Sequence, residues 1–161
     1  MYLLFRLNLL RSNAMNYLKS LFRNLVPKKE PKFLYEVIGE EDGIRSLVSK
    51  FYEVMESDPK ALECLRIHKL VDGKVEQLTK EKFFMFLSGW FGGPNLFIES
   101  FGHPKMRARH LHVPISKVEK DQWLYCMNKA LDSHTKKIKK NDRYRFDGSF
   151  KALASRIQNI N

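Results

Sequence analysis

Apolar residues that recur at helical spacing constrain this chain more than any other feature of its sequence. Residues 43–57 place Ile44, Leu47, Val48, Phe51 and Met55 at intervals of three or four, which puts them on one face of an α-helix. An Asp42 cap is expected to start this helix, and Asp58-Pro59 to end it. No stretch alternates apolar and polar residues convincingly, so the sequence predicts an all-α fold without strands.

The same spacing predicts further helices. Residues 76–91 are expected to form a helix whose buried face holds Phe83, Phe86, Leu87 and Trp90. Short helices are expected at LFIESFG and at HPKMRARH, and Pro104 is placed in the first position of the second one. The run Ser116-Lys117-Val118-Glu119 is a capping box, and it opens a helix to about residue 133. The apolar stripe of this helix consists of Trp123, Cys126, Met127, Ala130 and Leu131. Beyond a charged linker at 133–143, a last helix buries Phe150, Leu153, Ala154, Ile157 and Ile160.

Residues 1–32 form a basic leader that precedes the globular domain at 33–161. The leader holds seven Lys or Arg residues against Glu30 alone, about half of the net charge of +11. SNA at 12–14 resembles the remnant of a cleaved purification tag, which would put the native start at Met15. Residues 15–29 are typical of a basic amphipathic helix, which could dock on a membrane or a partner. The favoured interpretation is an extension that packs on its own domain or frays.

Composition limits the compartment and the partners. The 161-residue chain has two cysteines without zinc-site spacing, which favours reduced thiols and a cytoplasmic protein. No apolar run is long enough to span a bilayer, and MYLLFRLNLL is too short for a secretory signal. Outside the leader the charge is only mildly basic, so no nucleic-acid partner is expected.

The sequence lacks the common catalytic motifs but is unusually aromatic. It contains no GxSxG elbow, P-loop, Rossmann glycine pattern or HExxH. Twelve Phe residues suggest that helices could enclose a flat apolar cofactor such as haem, which also needs an imidazole ligand and nearby cations. Spacing alone leaves the plainer alternative open, because a stripe of Phe and Trp is more often simply core.

Three sequence motifs bear on whether the aromatic residues enclose a cofactor or form a plain core. Residues 86–131, FLSGWFGGPNLFIESFGHPKMRARHLHVPISKVEKDQWLYCMNKAL, strongly resemble the group II truncated haemoglobins, which carry FLSGW-x-GGP, GHP-x-x-R-x-RH and DQW-x-x-CM in this order. GIRSLVSKFYEVM at 43–55 resembles their first long helix, and the likeness covers about residues 33–133. The resemblance implies a truncated globin fold, a two-over-two helical sandwich around haem b, to which the leader adds an N-terminal helical extension.

The resemblance also implies roles for individual residues. His110 matches the proximal iron ligand, Trp123 and Tyr52 match distal hydrogen-bond donors, and His68 falls near a variable distal position. The remaining matches are cofactor contacts: Phe83 and Phe86 as apolar pocket residues, Met106 on the proximal side, Ile115, and Arg109 and Lys82 at the haem propionates.

The chain departs from the family pattern at several positions. Gly39-Glu40 replaces the usual glycine pair, and His112-Val113 replaces the usual Pro-Phe after the proximal histidine. Phe97 stands where relatives often place a tyrosine near the propionates. His103 is expected to brace the short helix rather than bind metal, and His112 is expected to face solvent.

These roles predict a haem protein that binds O₂ reversibly, with NO and CO as further ligands. Several donors around one ligand slow its release, which suits NO conversion to nitrate or peroxide reduction, with an unidentified reductase, better than rapid-release transport. The alternatives are a gas sensor or carrier without turnover, and a non-haem helical interaction module with a docking leader. Either a monomer or a homodimer is compatible with the sequence.

Overall fold

The structure is a computed structural model that describes residues 32–134 and 138–160. The predicted leader helix and the SNA segment lie outside the described residues. Helix α1 (Leu34–Ile38) and helix α2 (Glu40–Ser57) meet at Gly39, whose φ of 103° reverses the chain direction. The expected Asp42 cap is wrong, because α2 begins two residues earlier and Asp42 lies in its first turn.

The altered glycine pair has a local consequence at this turn. Glu40 adopts a φ of 58°, in the left-handed region that glycine enters without a steric penalty. Gly43 then allows α1 to approach α2, because a Cβ there would stand 2.1 Å from the Ile38 carbonyl oxygen. The turn before α2 thus contains one strained non-glycine residue.

The predicted apolar face of α2 is confirmed. Six side chains of the helix are buried: Ile44, Leu47, Val48, Phe51, Tyr52 and Met55. Asp58 ends the helix, and its carboxylate accepts a hydrogen bond of 3.0 Å from the Lys60 amide at the start of a 3₁₀ turn, Pro59–Ala61. Helix α3 (Leu62–Arg66) follows directly.

A small hairpin corrects the expectation of a strand-free chain. Strands β1 (Leu70–Val71) and β2 (Lys74–Val75) pair antiparallel, with Leu70 opposite Val75. Asp72 and Gly73 turn the chain with φ values of 51° and 74°, and this dipeptide is a strong hairpin signal. Two-residue strands are too short to show alternation, so periodicity could not reveal them.

Helix α4 (Gln77–Trp90) buries a different face from the predicted one. Phe86 and Leu87 are buried as expected, whereas Phe83 is half-buried and Trp90 is exposed, with its indole N–H donating to Ser149 Oγ at 2.8 Å. Phe84, which the sequence analysis missed, is buried beneath the Arg45 guanidinium, 3.7 Å above its ring. A cation that covers the ring allows an aromatic residue on the polar side of the helix to be buried.

Two short helices lead to the next long one. Helix α5 (Leu96–Phe101) is followed by helix α6 (Met106–His110). Pro104 is not in the first position of α6, because Lys105 takes a left-handed conformation and the helix begins after it. His103 braces this turn as expected, since its Nδ1 accepts a hydrogen bond from the Lys105 amide at 3.2 Å.

The last two helices are long. Helix α7 (Lys117–Asp132) has the predicted capping box, in which Ser116 Oγ accepts from the Val118 amide at 3.0 Å and Glu119 accepts from the Ser116 amide at 2.8 Å. Its predicted apolar stripe is buried.

Helix α8 (Lys140–Ile157) begins inside the segment expected to be a linker. Ion pairs three and four residues apart, Arg145–Asp142 and Arg143–Asp147, support its charged first half. Ile160, expected in the buried face, lies beyond the helix and is exposed.

The helices form the two-over-two arrangement. Helix α2 packs on α4 and, most extensively, on α7, while α7 packs on α8 and α3. One hydrophobic core lies between them and contains Phe51, Phe146 and Phe150 at its centre. In the part of the chain that the structure describes, no helix combines the length and the apolarity needed to cross a membrane.

Candidate functional site

An aromatic cluster lies where α2, α4 and α7 meet. The Phe51 ring is at its centre, with centroid distances of 4.9 Å to Tyr52, 5.3 Å to Phe83 and 5.3 Å to Trp123. The structure therefore brings together three residues that were assigned to one pocket from the sequence. Phe51 itself was recognised only as a core residue, and its position between Tyr52 and Trp123 needs the three-dimensional packing.

Tyr52 and Trp123 are buried side chains whose polar atoms have no partner in the described residues. Tyr52 is 3% exposed and Trp123 is 9% exposed, yet neither the hydroxyl nor the indole N–H forms a hydrogen bond there. Among the same residues no fully buried side-chain nitrogen or oxygen lacks a partner, so these two groups reach open space. Burial raises the pKa of Tyr52, which keeps its hydroxyl protonated and able to donate.

His68 joins this cluster from the segment after α3. Its ring lies edge-on to Tyr52, with 6.1 Å between the centroids. Nδ1 is 2.7 Å from the Cys64 carbonyl oxygen, and because that oxygen can only accept, Nδ1 carries the proton and Nε2 the lone pair of the neutral ring. Burial lowers the pKa of His68, the hydrogen bond to the Cys64 carbonyl oxygen opposes this, and an electrostatic contribution from His110 lowers the pKa further.

His110, the last residue of α6, has the same tautomer. Its Nδ1 donates to the Met106 carbonyl oxygen at 2.6 Å, so Nε2 is the atom left to bind a metal. No group of three or more His, Cys, Asp or Glu that could hold a metal ion occurs within the described residues. His103 and His112 are both exposed, His112 as expected.

Two cations approach the end of α5 from different helices. Arg109 Nη2 donates to the Phe101 carbonyl oxygen at 3.3 Å, and its guanidinium lies 5.5 Å from the centroid of the Phe97 ring. Lys82 Nζ lies 5.1 Å from the centroid of the Phe101 ring. Neither cation forms an ion pair within the described ranges, so both charges are available to an anionic group.

The other three predicted cofactor contacts lie on α4, on α6 and just before α7. Phe86 stacks on Trp90 at 5.5 Å and meets Phe97 edge-on at 6.3 Å, in a neighbouring groove of about 130 Å³. Met106 is half-buried against the core, and Ile115 is buried beside the final residues of the chain, with its amide bonded to Asn159. Asn159 was not recognised from the sequence.

The geometry defines a class: a helical protein with an aromatic cluster between its long helices, two hydrogen-bond donors on buried residues of that cluster, and a histidine on a short helix whose Nε2 is free. The comparisons with known proteins agree with this class. The family model of the bacterial-like globins matches residues 33–159. The group 2 truncated haemoglobin YjbI of Bacillus subtilis is 42% identical over 98 residues, which cover 61% of this chain and 68% of that protein.

Two solved structures are similar as well. The group II two-on-two haemoglobin of Agrobacterium tumefaciens is 34% identical, with a TM-score of 0.73. The match covers 83% of this chain and 99% of that one. The truncated oxygen-avid haemoglobin of Bacillus subtilis is 34% identical, with a TM-score of 0.68 and coverage of 80% and 100%. The chain belongs to the bacterial-like globin family, as a group II truncated haemoglobin.

Membership of the globin family implies that this chain binds haem and, through it, gaseous ligands such as O₂. The residues present fit that cofactor. A histidine with a free Nε2, two donors without protein partners, and two cations without acidic partners are the groups that iron, a polar ligand and the propionates require.

Proposed function

We propose that the chain binds haem b through His110 Nε2 and that Trp123 and Tyr52 donate hydrogen bonds to O₂ held in the pocket. Haem iron supplies a coordination position at which diatomic gases bind. The observation that carries the proposal is a pair of donors on buried residues, the Tyr52 hydroxyl and the Trp123 indole N–H, which reach open space and have no hydrogen-bond partner among the described residues. NO and CO are further ligands, and they gain less from the donors because they accumulate less negative charge.

The remaining pocket groups complete the assignment. Arg109 and Lys82 hold the propionates, His68 is a third polar group beside Tyr52, and Phe83 and Phe86 with Met106 and Ile115 supply apolar contacts to the macrocycle. These roles are assigned from the positions of the residues in the structure and from the groups that a bound haem requires.

Strong retention of O₂ favours redox chemistry over bulk transport. Each donor to a partly charged ligand opposes its dissociation. NO, O₂ and one electron give nitrate, so an NO-converting role needs an electron donor, and we assign this to an unidentified reductase. Peroxide reduction is the other reaction that a polar pocket of this kind supports. The buried free thiols of Cys64 and Cys126 support a reducing cytoplasmic compartment.

Stopped-flow measurement of O₂ dissociation tests the assignment. Trp123→Phe and Tyr52→Phe each remove one donor and keep an aromatic ring, so each is expected to accelerate release by roughly tenfold. The matched controls are Trp90→Phe and Tyr125→Phe, because Trp90 donates to Ser149 and Tyr125 to Asp58 at 2.6 Å, outside the cluster. Equal rates in the pocket variants and the controls would contradict the proposal.

A second assay separates turnover from gas carriage. Wild-type protein supplied with O₂, NO and an artificial reductase is expected to consume NO catalytically, with nitrate as the product. Stoichiometric consumption alone would refute the redox role and leave the gas sensor or carrier. Absence of gas binding altogether would favour a non-haem interaction module, whose leader would then give salt-sensitive docking.

A further inference from the structure

Asn159 lies in the segment that follows α8 and contacts the end of the helix that bears His110. Its side-chain Nδ2 donates to two carbonyl oxygens, those of His110 and Val113, at 2.8 Å each. Its Oδ1 accepts from the Ile115 amide at 3.0 Å, and its own amide donates to the Ile115 carbonyl oxygen at 3.0 Å. One residue thus makes four hydrogen bonds to the segment 110–115.

These bonds supplement the local ones at the end of α6, where the His110 carbonyl oxygen also accepts from the Val113 amide at 3.1 Å. The last carbonyls of a helix have no partner within it, and a helix of five residues has too few internal bonds to persist alone. Pro114 has no backbone N–H to donate to these carbonyl oxygens. Arg107, a basic residue in the last turn of α6, is exposed. The Asn159 amide therefore caps α6 from a different element.

We infer that Asn159 is a positioning residue that fixes the His110 imidazole for metal binding. His110 is held at two points: its ring donates through Nδ1 to the Met106 carbonyl oxygen, and its backbone carbonyl oxygen accepts from Asn159 Nδ2. With the second anchor removed, α6 can rotate or shift relative to α8, on which it packs. The direction of Nε2 then changes although the first hydrogen bond persists. This role rests on the assignment of His110 as the iron ligand.

Resonance Raman spectroscopy of the ferrous haem protein tests the role, because the iron–histidine stretching band reports the strength and tilt of that bond. Asn159→Asp keeps the shape of the side chain and its Oδ1 acceptor but loses the Nδ2 group that donates two hydrogen bonds. Asn159→Ala loses all three side-chain hydrogen bonds. Both variants are expected to shift and broaden the band and to accelerate acid-induced loss of the imidazole by roughly tenfold, as expected for loss of one or two hydrogen bonds.

Gln158→Ala is the matched control. Gln158 is the neighbouring residue, but its side chain contacts Lys120 and the Ile160 carbonyl oxygen instead of α6. It is expected to keep the wild-type band. A lower melting temperature in the Asn159 variants with an unchanged band would overturn the inference and leave Asn159 a purely structural residue.

The same spectra distinguish failure of the iron-ligand assignment. If wild type shows no iron–histidine band, or if His110→Ala retains it, the assignment of His110 fails and the role of Asn159 falls with it. Hydrogen exchange provides a readout that does not involve the iron. Exchange of the Ile115 amide is expected to accelerate in Asn159→Ala, which removes its acceptor, and to stay unchanged in Gln158→Ala, and equal exchange in these two variants would also refute the inference.

Discussion

The two sides of the proposed haem pocket are built in different ways. The distal side, Tyr52 and Trp123, lies on the long helices α2 and α7, and both rings contact Phe51 in the centre of the core. The proximal side, His110, lies on the five-residue helix α6, which has no fully buried residue and is held by hydrogen bonds to Met106 and Asn159.

Because of this difference, substitutions that lower stability and substitutions that affect the proposed iron ligation are expected at different positions. On the distal side, hydrophobic packing places the donors, so a change there that disturbs packing affects the whole fold. On the proximal side, a few directional hydrogen bonds orient one ring, so a change can alter the iron ligand and leave the core intact. Substitutions on the two sides are therefore expected to have different signatures.

The largest effect is expected from Phe51→Ala, which removes the ring shared by Tyr52 and Trp123. Phe51 is completely buried, so its truncation leaves a cavity and is expected to lower the free energy of unfolding by about 3–5 kcal/mol. Urea denaturation measures this loss. Tyr144→Ala is the control, since Tyr144 is 78% exposed and should change stability by less than about 0.5 kcal/mol. Comparable losses in both would show that Phe51 is not part of a continuous core.

A smaller effect is expected at the start of α7. Ser116→Ala removes the hydroxyl that accepts from the Val118 amide and is expected to cost about 1 kcal/mol of unfolding free energy. Because α7 bears Trp123, O₂ release should also accelerate slightly. Ser116→Asp preserves an acceptor and is expected to retain most of the stability. If alanine and aspartate behave alike, the cap does not contribute.

The smallest effect concerns the proximal cations. Arg109→Ala removes the proposed propionate anchor and is expected to accelerate haem transfer to an acceptor protein by a few-fold, with little change in unfolding free energy. Arg107→Ala, on the same helix, exposed and without an ion pair in the described residues, is the matched control. An equal rate for both variants would remove Arg109 from the propionate site.

The same division explains what the sequence could predict. Long helices with one apolar face reveal themselves by spacing, so the buried faces of α2 and α7 are confirmed. The Ser116 cap is confirmed for a similar reason, because the box is local in sequence. The family resemblance, which the comparisons confirm, supplied the roles of His110, Trp123 and Tyr52, which remain predictions.

Features that depend on contacts between distant segments were missed or misplaced. Phe84 is buried because Arg45 of another helix covers it, and spacing within α4 could not show this. Asn159 caps a helix that ends 49 residues earlier, which no local pattern encodes. The hairpin at 70–75 and the early start of α8 were missed because short strands and charged helical turns both resemble loops in sequence.

The absorption spectrum of the purified protein reconstituted with haemin tests the central claim most directly. Wild type is expected to show a Soret band and, after reduction, the spectrum of a histidine-ligated ferrous haem. His110→Ala is expected to lose that ferrous spectrum, while His112→Ala, which changes an exposed neighbour, keeps it. A wild-type protein without a Soret band, or a His110→Ala variant with the native ferrous spectrum, would contradict the account.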